Sequence, residues 1–259
     1  MNYLNIAGYK FISLNDLPEM RSVFLEQCLV LQFKGTILLS EEGINISLSG
    51  AVEQIALFKT YLAKDLRFAD MTFRESYSDI QPFKFMRVKL KKEIITMKQP
   101  SIHAELKRAP SISPIDFKQW LDEKRDITIL DTRNDYEIKY GTFANAIDLK
   151  IKDFSEFPHQ QEKINPDKPI VMFCTGGVRC EKAALQLMDA GYSEVYQLEG
   201  GILNYFSEVG GAHYNGECFV FDHRVALDAH LQPTRNQQCI ICESPITPDQ
   251  QAVGCASCH

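Results

Sequence analysis

The chain reads as an α/β protein: a small N-terminal α+β domain, a second domain built on a parallel sheet, and a small cysteine-rich segment at the C-terminal end. Three observations predict this. Residues 1–100 alternate strand-like and helix-like periodicities in the order β-α-β-β-α-β. From Ser113 to Gly211, short wholly apolar runs alternate with amphipathic helices, the pattern of a parallel sheet covered on both faces. The last 21 residues hold four of the eight cysteines and few large apolar side chains.

Composition sets the outer limits. With 259 residues, 45% of them hydrophobic, the chain has material for one or two cores. No apolar run reaches the roughly 18 residues of a membrane-spanning helix. The stretch Met1–Leu14 lacks a basic start, a continuous apolar run and a small-residue cleavage site, so no signal peptide is read there and a cytoplasmic location is expected. In a reducing compartment, clustered cysteines point to catalysis or metal rather than disulfides. The net charge of −6 argues against nucleic acid only on average. From Met71 to Pro110 nine basic residues face four acidic ones, a local surplus that phosphate binding needs. The competing reading of this stretch is a solvated strand and loop.

In the first domain, Asn5–Ser13 alternates weakly as a strand. Asp16–Leu29 places Leu17, Met20, Val23, Phe24 and Cys28 at helical spacing, with Pro18 near the start where a helix tolerates it. Leu31–Ser40 and Ile44–Leu48 form strands around a turn at Gly43, and Val52–Lys64 is an amphipathic helix. Met71–Ser76 and Arg87–Thr96 read as further strands. This order is the split βαβ of ferredoxin-like folds, an arrangement that hosts many unrelated functions. Residues 101–112 read as a linker.

The second domain, 113–211, opens with a helix from Ser113-Pro114 through Leu121. Ile127–Leu130 is an apolar strand ending in Asp131, and Pro169–Phe173 is another ending at Cys174. Arg179–Ala190 is a helix stopped by Gly191, and Val195–Leu198 is a third strand. Residues 212–259 form an extension too thin in apolar side chains after Leu231 to fold without a staple.

The chemistry concentrates at Cys174-Thr175-Gly176-Gly177-Val178-Arg179, where a strand ends, the chain turns and a helix begins. Two glycines let the backbone curl and turn its N–H groups inward, and the helix adds its positive end. A sulfur at that focus, with Arg179 closing the ring, is expected as a thiolate, and a persulfide anion would be held equally well. Four residues separate Cys174 from Arg179. Cysteine phosphatases use a longer spacing, so this tighter ring suits a sulfur-sized species. The competing reading is an inert cysteine at a strand end.

These residues carry a resemblance. Asp131-Thr132-Arg133 with Tyr136-Glu137 and Gly141 resembles the upstream signature of rhodanese domains, and Glu199-Gly200-Gly201 the downstream one. The loop Cys174–Ala183 is similar to that of the TrhO family, the bacterial rhodanese-containing tRNA uridine(34) hydroxylases of UPF0176 type. Glu41-Glu42-Gly43-Ile44-Asn45, Leu90–Met97 and Phe219-Val220-Phe221-Asp222 match the family's other markers, so the likeness runs over nearly the whole chain. It implies an acylphosphatase-like first domain, a rhodanese-like second domain, and oxygen-dependent hydroxylation of the wobble uridine of tRNA to 5-hydroxyuridine, with Cys174 at the catalytic position. Molecular oxygen is then a co-substrate, and the partner is the anticodon stem-loop of tRNA, with no membrane and no DNA.

Chemistry assigns further roles as expectations. Cys174, as thiolate or persulfide, adds to C6 of the uracil and makes C5 nucleophilic toward an oxygen electrophile. Arg179 and the loop residues Thr175, Gly176, Gly177 and Val178 hold the substrate and its developing charge. Cys180 is read first as helix packing and second as a resolving thiol. Asp131 and Arg133 brace the loop. Arg87, Lys89, Lys91 and Lys92 are the expected phosphate contacts to a splayed anticodon loop.

At the C-terminal end, Cys239-x2-Cys242 and Cys255-x2-Cys258 have the spacing of a structural zinc knuckle, the competing reading being an unfolded tail. The histidines form no constellation. Neither a phosphate loop, a dinucleotide fingerprint nor an iron triad is found, so no organic cofactor is expected. Two other functions remain in view: a sulfurtransferase passing persulfide from Cys174 to a thiol acceptor or a tRNA thiolation relay, and a non-catalytic partner-binding module.

Overall fold

A computed structural model describes residues 3–251, Cys255, Ser257 and Cys258. The chain divides into two compact units, Met1–Thr96 with His103–Lys107, and Met97–Ile102 with Arg108–His259.

The first unit runs β1 (Tyr3–Phe11), α1 (Leu17–Val30), β2 (Lys34–Ser40), β3 (Gly43–Gly50), α2 (Val52–Leu62), β4 (Arg74–Ser78) and β5 (Met86–Leu90). The strands form one sheet in the order β4-β1-β3-β2-β5. The first four are antiparallel neighbours, the ferredoxin-like arrangement expected, and β5 adds a parallel strand beside β2. Ile6, Ile37, Leu39, Ile46 and Leu48 of the sheet meet Phe24, Ile55 and Phe58 of the helices in one core.

One expected strand is shorter than its periodicity implied. The run Arg87–Thr96 is a strand only to Leu90, and its last ladder bond is Lys91 N–H to Leu39 O at 2.8 Å. Side chains then take over from the ladder. Glu42 accepts the Ile94 N–H at 2.7 Å, and Asn45 donates to Ile94 O at 3.3 Å. Glu42 and Asn45 of one marker thus clamp Ile94 of the other within this unit.

The second unit runs β6 (Ser111–Ile112), α3 (Pro114–Asp122), β7 (Thr128–Asp131), α4 (Asp135–Ile138), β8 (Gly141–Phe143), β9 (Ile147–Asp148), β10 (Ile170–Phe173), α5 (Val178–Asp189), β11 (Val195–Leu198) and α6 (Gly201–Val209). The short strands β12 (Tyr214–Gly216), β13 (Cys218–Phe219), β14 (Ala226–Leu227), β15 (Gln237–Gln238) and β16 (Pro245–Ile246) follow. Its main sheet is parallel throughout, in the order β6-β11-β10-β7-β9. Ile170, Val171, Met172 and Phe173 of the central strand are all buried, as a sheet covered on both faces requires.

Residues beyond α6 complete this core. β12 pairs with β8, and Tyr214, Cys218, Val220 and Leu227 pack with Phe143, Phe173 and Phe206. Among the described residues no helix is long and apolar enough to cross a membrane.

Candidate active site

Cys174 follows the carboxyl end of β10, the central strand between β7 and β11, where open parallel sheets place their ligands. The turn that follows needs glycine twice. Gly177 has φ +101°, which opens the helix α5 without a side-chain clash. Gly201, at φ +65°, lies so close beneath the loop that a Cβ there would sit 2.3 Å from Cys174 O. That contact explains Glu199-Gly200-Gly201. The start of α6 donates Ile202 N–H to Cys174 O at 2.9 Å and Leu203 N–H to Thr175 O at 3.1 Å, holding the loop from below.

The sulfur of Cys174 accepts the Gly177 N–H at 3.1 Å. Burial alone would keep this thiol protonated. The hydrogen bond from the Cys180 thiol, the Arg179 charge and the N–H groups of Arg179 and Gly177 outweigh it and hold the thiol well below its ordinary range. Cys180 moves the opposite way, pushed up by burial and by its bond to Cys174. Cys180 also lies 3.6 Å from Thr132 Oγ1, which donates to Phe173 O at 3.0 Å. Cys174 is thus the charged partner and Cys180 the protonated one.

The charged frame is buried. Arg133 and Asp131 are fully enclosed and joined at 2.9 and 2.6 Å. Arg133 reaches on to Gly141 O at 2.6 Å, and Thr142 donates to Asp131 at 2.7 Å. The Asp131–Arg133 signature therefore ties β7 to β8. Glu137 meets Arg179 through two bonds of 2.5 and 2.8 Å and accepts the Asn134 N–H at 3.0 Å. Burial opposes its charge, but Arg179 prevails and holds the carboxyl below the usual range. Sequence reasoning quoted Glu137 only within a signature and gave it no role. Glu181 of α5 accepts from Gln197 at 2.9 Å, fixing the helix to β11.

The loop residues expected to face substrate divide by exposure. Thr175 and Gly177 are buried, whereas Gly176 and Val178 are half-exposed and form its open rim. Cys174 itself is 1% exposed. Thr175 Oγ1 donates to Phe219 O at 3.5 Å, which brings the Phe219–Asp222 marker to the loop. Arg87, Lys89, Lys91 and Lys92 are exposed in the first unit. Lys89 and Lys91 line a groove of about 620 Å³ with Pro18, Arg21, Ser22, Val88 and Leu90.

The four terminal cysteines converge, with all four sulfurs within 4.8 Å of one another. Individual separations are 3.5 Å for Cys239–Cys258, 3.5 Å for Cys242–Cys255 and 3.1 Å for Cys242–Cys258. Metal–sulfur bonds of about 2.3 Å in a tetrahedron put sulfurs roughly 3.8 Å apart. The four thiols therefore fit a single tetrahedral ion.

Residues 3–94 match the family model of the UPF0176 acylphosphatase-like domain, and residues 113–208 that of the rhodanese-like domain. A protein of Cupriavidus taiwanensis named tRNA uridine(34) hydroxylase is 51% identical over 97% of this chain and 92% of its own length. One of the same name from Paraburkholderia xenovorans is 48% identical over 100% of this chain and 97% of its own. Among solved structures, a rhodanese-related protein of Thermoplasma volcanium is 27% identical over 39% of this chain and 94% of that one, with a TM-score of 0.34. With both domain models in order and near full-length identity of about half to relatives of one name, the chain belongs to the tRNA uridine(34) hydroxylase family.

Proposed function

We propose that the protein hydroxylates the wobble uridine of tRNA at C5, with molecular oxygen as co-substrate and Cys174 as the reacting group. The observation that carries this is the Cys174 sulfur, kept charged inside a ring of N–H donors, a thiol and a guanidinium. A thiolate so held is ready to add to C6 of the pyrimidine. The added electron pair moves toward C5 and O4, and C5 attacks an oxygen species at peroxide level, forming C–O as the O–O bond breaks and the second oxygen leaves as water. The two electrons that bring O2 to that level come from an external reductant. Loss of the C5 proton then expels the Cys174 thiolate from C6 and restores the double bond. The Arg179 and Gly177 N–H groups and the rim residues Gly176 and Val178 are the contacts at hand for the ring. A wobble base is unpaired and can be splayed into such a site.

The anticodon stem is assigned to the exposed Arg87, Lys89, Lys91 and Lys92 of the first unit. Two further features support that assignment. Arg21 and Ser22 join Lys89 and Lys91 along one groove. The exposed Phe85 lies 5.3 Å from Lys84 Nζ and 5.6 Å from the Arg87 guanidinium, an aromatic set among cations as single-stranded RNA prefers. The cysteine cluster is assigned a structural zinc, which would staple a segment with little core of its own. The reaction itself is placed in the cytoplasm, where tRNA is.

A second reading draws on the same ring, because it would hold the terminal sulfur of a Cys174 persulfide equally well: sulfur transfer to a thiol acceptor or to tRNA. Mass spectrometry of tRNA from cells lacking the gene separates the two. Loss of one oxygen atom from the wobble uridine is the expected result, and loss of a sulfur atom instead would establish the second reading. Incubation with RNA carrying 5-fluorouridine at the wobble position is expected to trap a covalent adduct on Cys174.

A further inference from the structure

The Phe219-Val220-Phe221-Asp222 segment has no part in the chemistry so far, yet it lies against the reactive loop. Phe219 is buried, and its carbonyl receives Thr175 Oγ1. Its ring meets Tyr136 at 5.4 Å, Tyr140 at 5.2 Å and Phe221 at 5.2 Å. The turn that follows is braced, with Val220 N–H bound to Val225 O at 2.8 Å and Asp222 paired with Arg224 at 2.5 and 2.8 Å. On this turn Phe221 remains 61% exposed.

A lone exposed phenylalanine is ordinary on a protein surface. Place and support set this one apart. Its ring lies 5.8 Å from the carbon of the Arg179 guanidinium, whose charge favours the Cys174 thiolate. Phe219 backs it, and the half-exposed rim residues Gly176 and Val178 shortly precede Arg179 in the chain. A large apolar ring is thus held in water, on a stiff turn, beside the guanidinium whose charge acts on the nucleophile of the proposed reaction. Every base has a π-face, and a splayed RNA base seeks an aromatic side chain to replace its lost neighbours.

We propose that Phe221 is the platform on which a pyrimidine of a single-stranded RNA loop stacks when it reaches the Cys174 loop. Phe221 is a substrate-binding residue: it touches the substrate ring and takes no part in bond making. The inference rests on the tRNA hydroxylase reading and adds the residue that receives the base.

The test uses the full chain and an anticodon stem-loop RNA, comparing wild type with Phe221→Leu and Phe221→Trp. Phe221→Leu keeps an apolar side chain but removes the π-face, and is expected to lose about 10-fold or more in kcat/KM. Phe221→Trp is expected to stay within about 3-fold of wild type, since a larger π-face stacks at least as well. The rate at which iodoacetamide alkylates Cys174 is expected to be equal in all three, because the sulfur's own surroundings are unchanged. Hydroxylation by Phe221→Leu equal to wild type overturns the proposal. So does an equal loss in both variants together with altered Cys174 alkylation, which would mark Phe221 as mere support for the loop. If the wild type leaves the stem-loop unhydroxylated, the hydroxylase reading itself falls, and the platform with it.

Discussion

The carboxylate of Glu137 takes both terminal nitrogens of Arg179, at 2.5 and 2.8 Å, in a pair that is almost wholly enclosed. The guanidinium is therefore fixed before any substrate arrives, and it acts on Cys174 through its charge while its own backbone N–H approaches the sulfur. Glu137→Gln leaves that charge buried without its counter-charge, the situation in which buried pairs are most expensive to break. Urea unfolding is expected to show a loss of about 3–5 kcal/mol. A loss below about 1 kcal/mol would mean that water reaches Arg179 and that the pair is not enclosed.

The Cys174 thiol lies below its ordinary range, so its charged form persists as pH falls. Its alkylation rate is therefore expected to stay nearly flat between about pH 9 and about pH 7, where an ordinary thiol slows roughly tenfold per unit near the lower end. Cys180→Ala removes the donated hydrogen bond that favours the thiolate. That shift raises the Cys174 pKa, and the fall in rate should move to higher pH. Superimposable profiles for the two proteins would deny Cys180 any hold on the charge. Cys28 and Cys218, each pushed up to about 12 by burial, are expected to stay silent in the same assay.

Much of this was legible in the sequence because the signals are local. The apolar run Pro169–Phe173, the two glycines after Cys174 and the helix that follows lie within one short stretch, and the structure assembles them in that order. Glu137 was not legible, since its partner Arg179 is 42 residues away and nothing in a four-residue helix announces a buried ion pair. The part that residues just past 211 play in the second domain's core was hidden for a related reason. Cys218-Phe219 and Ala226-Leu227 are two-residue strands, too short to show any period, and they are buried against the aromatic core rather than on each other alone. Past Leu90 the alternation that predicted a strand continued, but Glu42 and Asn45 capture the backbone at Ile94.

The proposed binding of an anticodon stem-loop through Lys89 and Lys91 would carry a salt signature. Each phosphate contact contributes about 0.7–0.9 to the slope of log affinity against log salt. The double variant Lys89→Ala, Lys91→Ala is expected to weaken binding and lower that slope by about 1–2, as a filter-binding titration would read. A weaker complex with an unchanged slope would place the loss elsewhere than in phosphate contacts.

The convergence of Cys239, Cys242, Cys255 and Cys258 predicts one zinc ion per chain in the purified protein. Elemental analysis should find it, and Cys242→Ser should lose most of it. A chelator strong enough to remove the ion is expected to open the segment around β15 and β16 to proteolysis while α5 and the parallel sheet survive. Metal-free protein with the same resistance to protease would show that the thiols hold the segment by packing alone.

The match to the rhodanese-like family ends at residue 208, within α6. Tyr214 nevertheless supplies a strand to β8 and donates from its hydroxyl to Gly141 O at 2.8 Å, the same carbonyl that Arg133 grips. A fragment trimmed to the family boundary would strip aromatic and thiol side chains from the back of its own reactive turn. Such a fragment is expected to be sticky and poorly ordered, and any turnover it showed would describe a damaged molecule rather than the enzyme from which it was cut.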